Sequence, residues 1–108
     1  MKDKNFEYDA ELDNFSIYSN KDEEIIGSLP FGNFIYDIGL SGEVIKVEID
    51  NASKVFNVSP EVFKLAEEAT LSVTTDRNML ILGFRIKLNK QIFVFYNSIP
   101  RNKINISV

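Results

Sequence analysis

Residues Asn33 to Asn57 read NFIYDIGLSGEVIKVEIDNASKVFN. Apolar residues alternate on both sides of Leu40-Ser41-Gly42-Glu43, where Gly42 supplies the positive φ that a tight reversal needs. The spacing predicts an antiparallel hairpin in which Phe34 faces Ile49, Tyr36 faces Val47 and Ile38 faces Ile45 on one side. The other side then holds Ile35 with Glu48, and Asp37 with Lys46 as an exposed cross-strand salt bridge. A slip of one residue would set Asp37 against Ile45 and spoil both faces, so the pattern specifies its own register. One face belongs in a core. After Ile49 the period changes, and Asp50 or Asn51 is the expected N-cap of a short helical turn through Ala52, Ser53, Lys54, Val55 and Phe56.

Upstream, Phe6-Glu7-Tyr8-Asp9 and Asn14-Phe15-Ser16-Ile17-Tyr18 alternate as short strands joined by a turn over Ala10-Glu11-Leu12-Asp13. Tyr8 should face Phe15, and Phe6 should face Ile17. A charged loop, Asn20-Lys21-Asp22-Glu23, leads to a third strand over Glu24 to Leu29, ended by Pro30 and Gly32-Asn33.

The series Tyr8-Asp9-x-x-x-Asp13-x-Phe15-x-Ile17-Tyr18, then Gly42-x-Val44-Ile45-x-Val47-Glu48-Ile49 and Ala52-Ser53, resembles a family of short bacterial and archaeal proteins known only as a domain of unknown function. The family pattern has a Gly where this chain has Lys46 and an aliphatic residue where it has Asp50. The resemblance covers about the first half of the chain, residues 6–57, and implies a small β-meander closed by a helix. By association it also implies an antitoxin-like or adaptor role beside a small toxin.

Downstream, Ser59, Pro60 and Glu61 are the N-cap, first helical position and dipole partner of a predicted helix, with Val58 and Phe63 as a hydrophobic staple. Its buried stripe would be Val62, Phe63, Leu65, Ala66 and Ala69, ending near Thr70. The last third is β again. Leu71 to Thr75 is a strand, Asp76-Arg77-Asn78 a turn, Leu80 to Leu88 a long strand, and Asn89-Lys90 a two-residue turn into Gln91 to Tyr96. Ile86 should meet Phe93 and Phe84 should meet Phe95, while the other face pairs Lys87 with Ile92, Arg85 with Val94, and Gly83 with Tyr96. The Tyr96 ring can cover the bare glycine backbone. Pro100 should end that hairpin, and Lys103 to Val108 offers a last strand. The fold class expected is α+β, a mostly antiparallel β-meander with one or two short helices in the middle of the chain, in a single domain over residues 1–108.

The 108 residues include no Cys and no His. That excludes thiolate nucleophiles, iron–sulfur clusters and thiolate zinc sites, and removes the usual general base and commonest transition-metal ligand. The first residues are too polar for a signal peptide, and no apolar run approaches a membrane span, so a soluble cytoplasmic protein is expected. The net charge of −4 is unevenly spread. Residues 1–69 hold six Lys or Arg against fifteen Asp or Glu, whereas residues 70–108 hold six against one. The halves either attract each other within one fold or present patches to different partners.

Asp9, Asp13 and Asp37 are the acidic residues to test for a hard cation, although Asp at the ends of a turn more commonly accepts backbone N–H bonds. No serine has a His to activate it, no phosphate loop occurs, and neither an enzyme nor a cofactor is expected. Arg77, Arg85, Lys87, Lys90, Arg101 and Lys103 with Phe93, Phe95 and Tyr96 have the makeup of single-strand binders. Alternation, however, puts Phe93 and Phe95 on the face opposite Arg85 and Lys87. The mixed face of Ile81, Arg85, Ile92, Val94 and Tyr96 suits a protein interface, unless the helix over Val62 to Ala69 buries it. The function expected first is thus a noncatalytic module that self-associates or binds a protein. Nucleic-acid or anion binding by the basic C-terminal strands comes second, and a carboxylate metal enzyme last.

Overall fold

The computed structural model of the chain describes residues 5–100. Eight strands and two short helices follow in order: β1 (Phe6–Asp9), β2 (Asn14–Tyr18), β3 (Ile25–Phe31), β4 (Phe34–Gly39), β5 (Val44–Ile49), α1 (Ala52–Phe56), α2 (Pro60–Phe63), β6 (Ala66–Asp76), β7 (Met79–Leu88) and β8 (Gln91–Pro100). They build a five-stranded antiparallel sheet in the order β1-β2-β5-β4-β3 and a three-stranded one in the order β6-β7-β8. The antiparallel strands and two short mid-chain helices are as expected, but the helices amount to only five and four residues, so the fold is mostly β rather than α+β.

The central hairpin forms as its alternation requires, with Phe34 opposite Ile49, Tyr36 opposite Val47 and Asp37 opposite Lys46. Near the turn the expectation fails, because Ile38 faces Val44 and not Ile45. The loop explains why. Gly42, at φ +86°, donates its N–H to Gly39, whose own N–H goes to Glu43, so the turn closes one residue out of step with the strands. A bulge at Ile45 absorbs the difference.

β2 docks on β5 with Phe15 opposite Ile49 and Ile17 opposite Val47, and β1 adds Tyr8 and Phe6 beyond them. Two apolar rows therefore cross the sheet, Tyr8-Phe15-Ile49-Phe34-Phe31 and Phe6-Ile17-Val47-Tyr36-Leu29. β3 runs on through Pro30 to Phe31, beyond the stop expected at Leu29. It is an edge strand, where a missing N–H costs no ladder bond.

Against these rows lies the inner face of the second sheet, where Leu82, Phe84, Ile86 and Leu88 are almost fully buried. The Phe84 ring stacks on Phe34 at 5.5 Å and on Tyr36 at 6.2 Å. Asn97 donates its side-chain amide to the Tyr36 hydroxyl, which ties β8 to β4. Phe56 and Phe63, one from each helix, close one end of this core against Phe93, Phe95, Tyr8 and Phe15.

The helix expected after Ser59 starts at Pro60 but does not run on through Val62 to Ala69. It stops at Phe63, and Ala66 onward is strand, leaving Leu65 exposed. Ala66-Glu67-Glu68-Ala69 are good helix formers, but β7 is ten residues long and its backbone groups need partners along their full length. Extending β6 to eleven residues, with Ala66 opposite Leu88 and Ala69 opposite Ile86, satisfies them. β8 likewise runs past Tyr96 to Pro100. The strand expected over Lys103 to Val108 lies outside the described residues.

Candidate functional site

β7 alternates cleanly, so its even-numbered residues enter the core and Ile81, Gly83, Arg85 and Lys87 face outward. The register then lays four rows across the outer face of the three-stranded sheet: Glu68-Lys87-Ile92, Thr70-Arg85-Val94, Ser72-Gly83-Tyr96 and Thr74-Ile81-Ser98. All five residues expected at an interface, Ile81, Arg85, Ile92, Val94 and Tyr96, therefore share this face. Because the helix that would have buried them is strand, the face is open. Ile92 is 51%, Val94 50% and Tyr96 72% exposed.

The middle of the face is shaped by Gly83. A Cβ there would stand 2.7 Å from Ser72 Oγ and 3.1 Å from the Tyr96 ring, so the ring lies directly on the glycine backbone. Thr70, Ser72, Arg85, Val94 and Tyr96 line a shallow depression of about 200 Å³ around it. Two ion pairs border it, Arg85 with Glu68 at 3.7 Å and Lys87 with Glu67 at 3.4 Å. Glu67 also accepts the Lys90 backbone N–H at 3.2 Å. The acidic and basic stretches of the chain thus meet on this sheet, and two cations of the basic strands have carboxylate partners. Phe93 and Phe95 point the other way, against Phe56.

The three aspartates do not come together. Asp9 accepts the backbone N–H groups of Glu11 and Leu12. Asp13, at φ +52°, takes the Tyr8 hydroxyl at 2.7 Å, the Ser53 hydroxyl at 2.7 Å and the Ser53 N–H at 3.1 Å. Burial pushes the Asp13 carboxyl up, but the bonds from Tyr8 and Ser53 outweigh it and hold it below its usual range. Burial, then the bond to Asp13, lifts Tyr8 to about 12. Asp37 takes the Ser28 hydroxyl at 2.6 Å and is nearly buried. Among the described residues no group of three carboxylates is arranged to hold a metal ion. Nor does Asp37 form the salt bridge expected of it, since the Lys46 ammonium lies 3.3 Å from Glu48.

A second concavity, which the sequence reading missed, opens on the outer face of the five-stranded sheet. Glu7, Asp9, Asn14, Ser16, Tyr18, Lys46 and Glu48 are among its lining residues, and it encloses about 510 Å³. Its polar residues show in the alternation of β2 and β5. Their assembly does not, because it requires β1, β2 and β5 to lie side by side. Lys46 spans it, with its ammonium 5.4 Å from the centre of the Tyr18 ring. Burial pulls the Lys46 pKa down, yet Glu48 and its neighbours outweigh that and leave it raised.

No helix of the described residues is long and apolar enough to cross a membrane. Comparison of the chain with protein-family models, with curated proteins and with solved structures gives no match.

Proposed function

We propose that this domain is a noncatalytic protein-binding module and that its contact surface is the outer face of β6, β7 and β8. The observation that carries the reading is the exposure of Ile92, Val94 and Tyr96 along one strand, beside Arg85 and a shallow depression. Contiguous apolar side chains with a Tyr and an Arg among them match the makeup of contact sites, and water is a poor neighbour for them. An antitoxin-like pairing with a small toxin, which the family resemblance implies, is one form of this reading and would use the same face. Nucleic acid fits less well, because Arg85 and Lys87 already face Glu68 and Glu67, and Phe93 and Phe95 are unavailable for base stacking.

A photo-crosslinking residue placed at Val94 in the full chain, with a second placed at Glu11 in the β1–β2 turn, tests the reading. Protein adducts from position 94 in excess of those from position 11 are expected in the native cell. Equal yields, or adducts from position 11 alone, would overturn it.

A further inference from the structure

Sheets leave edges, and folds protect them with charge, proline, bulges or brevity. Among the described residues, three of the four edges carry such devices. β1 has Glu7 and Asp9 within four residues, β3 has Pro30 and a bulge between Ile25 and Gly27, and β6 has Glu67, Glu68, Asp76 and a bulge of its own. β8 has none of them before its last residue. From Gln91 to Ile99 it has no charge and no proline, and it pairs with β7 without a register shift. A long, regular, uncharged edge with apolar side chains on both faces is a surface on which another strand forms.

The sequence of that edge says which strand. Read outward from Val94, it is symmetric in chemistry: Phe93 and Phe95, then Ile92 and Tyr96, then Gln91 and Asn97. An antiparallel pair of identical strands related by a two-fold axis sets residue i against j and j against i, so a strand of this kind is its own complement. We infer that β8 pairs edge to edge with β8 of a second copy of this chain, with Val94 on the axis, to make one continuous six-stranded sheet. Val94 meets Val94, Phe93 meets Phe95, Ile92 meets Tyr96 and Gln91 meets Asn97. Moving the axis to Phe93 would put Tyr96 against Lys90, and moving it to Phe95 would put Phe93 against Asn97. The inference rests on this sheet being the protein-binding part of the molecule, and it names the partner at its β8 edge. Joining the sheets brings the two exposed Ile92-Val94-Tyr96 rows together.

Sedimentation velocity on the full chain, from about 1 to 500 μM to bracket the affinity of a small interface, should show a monomer giving way to a dimer. Val94→Lys sets two ammonium groups face to face, and Ile92→Lys adds charge to the same edge. Each should weaken the dimer at least about tenfold. Both positions are half exposed, so the fold should survive, as circular dichroism will report. Thr74→Lys, on the far edge of the sheet, should leave the dimer unchanged. Because the chain has no Cys, Val94→Cys introduces a single thiol. With oxidised glutathione as oxidant, it should form the intermolecular disulfide about tenfold faster than Gln91→Cys or Ser98→Cys, since only residue 94 faces itself. A dimer indifferent to both lysine variants, or a disulfide fastest at 91 or 98, overturns the inference. So does a monomer at every concentration, whether the edge is then covered by residues 101–108 or by another protein. A monomer whose position 94 still crosslinks to a different protein leaves the binding surface standing, whereas a monomer without such adducts removes both.

Discussion

Asp13 is held in the left-handed region, and three of its groups act at once. Its carboxylate bonds Tyr8 and Ser53, its carbonyl accepts the Ala52 N–H at 2.9 Å, and its backbone reverses the chain between β1 and β2. α1 follows Asn51, its N-cap, which is also left-handed and whose side chain makes no capping bond. The helix start is thus capped from 40 residues away by Asp13. Asn tolerates the same backbone region, so Asp13→Asn keeps the turn but removes the charge and replaces one accepting oxygen with an NH2 donor that faces the Tyr8 and Ser53 donors. Chemical denaturation at pH 7 should show a loss of about 1–2 kcal/mol. The Asp13 carboxyl is depressed in the folded state, so its contribution is fully present above its unfolded value of about 3.9 and is lost as pH falls through the lower folded value. The difference between the two proteins should therefore shrink steadily below about pH 4. Asp13 was legible as a turn residue. Its partner was not, since nothing local in Ser53 points to Asp13.

The hairpins show how far short-range rules reach. Asn89 and Lys90 both have positive φ, at 47° and 68°, which is the two-residue turn the sequence predicts between β7 and β8. Gly is the better residue at the second position, because Lys90 carries a Cβ in a conformation that disfavours it. Lys90→Gly keeps the backbone N–H that Glu67 accepts, and it should raise stability by about 0.5–1 kcal/mol, or a few degrees in Tm by calorimetry. β1–β2 and β7–β8 pair as their alternation dictates, down to Gly83 under Tyr96. β6 was misjudged over Ala66 to Ala69, where helix propensity and strand pairing conflict. Propensity there amounts to tenths of a kcal/mol per residue, while each unpaired backbone group on β7 would cost about 1–3 kcal/mol.

Among the described residues, a ring stack and a polar link help to hold the two sheets together. Phe84 fills the space between Phe34 and Tyr36, and Asn97 bonds the Tyr36 hydroxyl, whose pKa burial lifts to about 12. Phe84→Ala should cost about 3–5 kcal/mol, measured by urea denaturation, because the cavity is walled by strands that cannot collapse into it. A domain with a total stability of about 5–15 kcal/mol loses much of its margin in that one change. The uneven charge of the chain resolves in the same assembly. Glu67 and Glu68, the last acidic residues of the acidic stretch, pair with Lys87 and Arg85 of the basic one. These pairs are half exposed and contribute at most about 1 kcal/mol each. They place carboxylates beside two of the cations, so the outer face of β6, β7 and β8 is mixed in charge.

Alternation along each strand and the residues of each turn are properties of a few neighbouring positions, and they were enough to tell how β1–β2 and β7–β8 pair and, away from the bulge at Ile45, how β4–β5 does. They also placed Ile81, Arg85, Ile92, Val94 and Tyr96 on one face. Whether that face is covered depends on the state of residues 64–69, and this is settled by hydrogen bonds to a strand some twenty positions further along. The order β1-β2-β5-β4-β3, the polar concavity across it and the bond that Ser53 donates to Asp13 belong to the tertiary structure for the same reason: each joins groups whose energies exist only once distant segments have met.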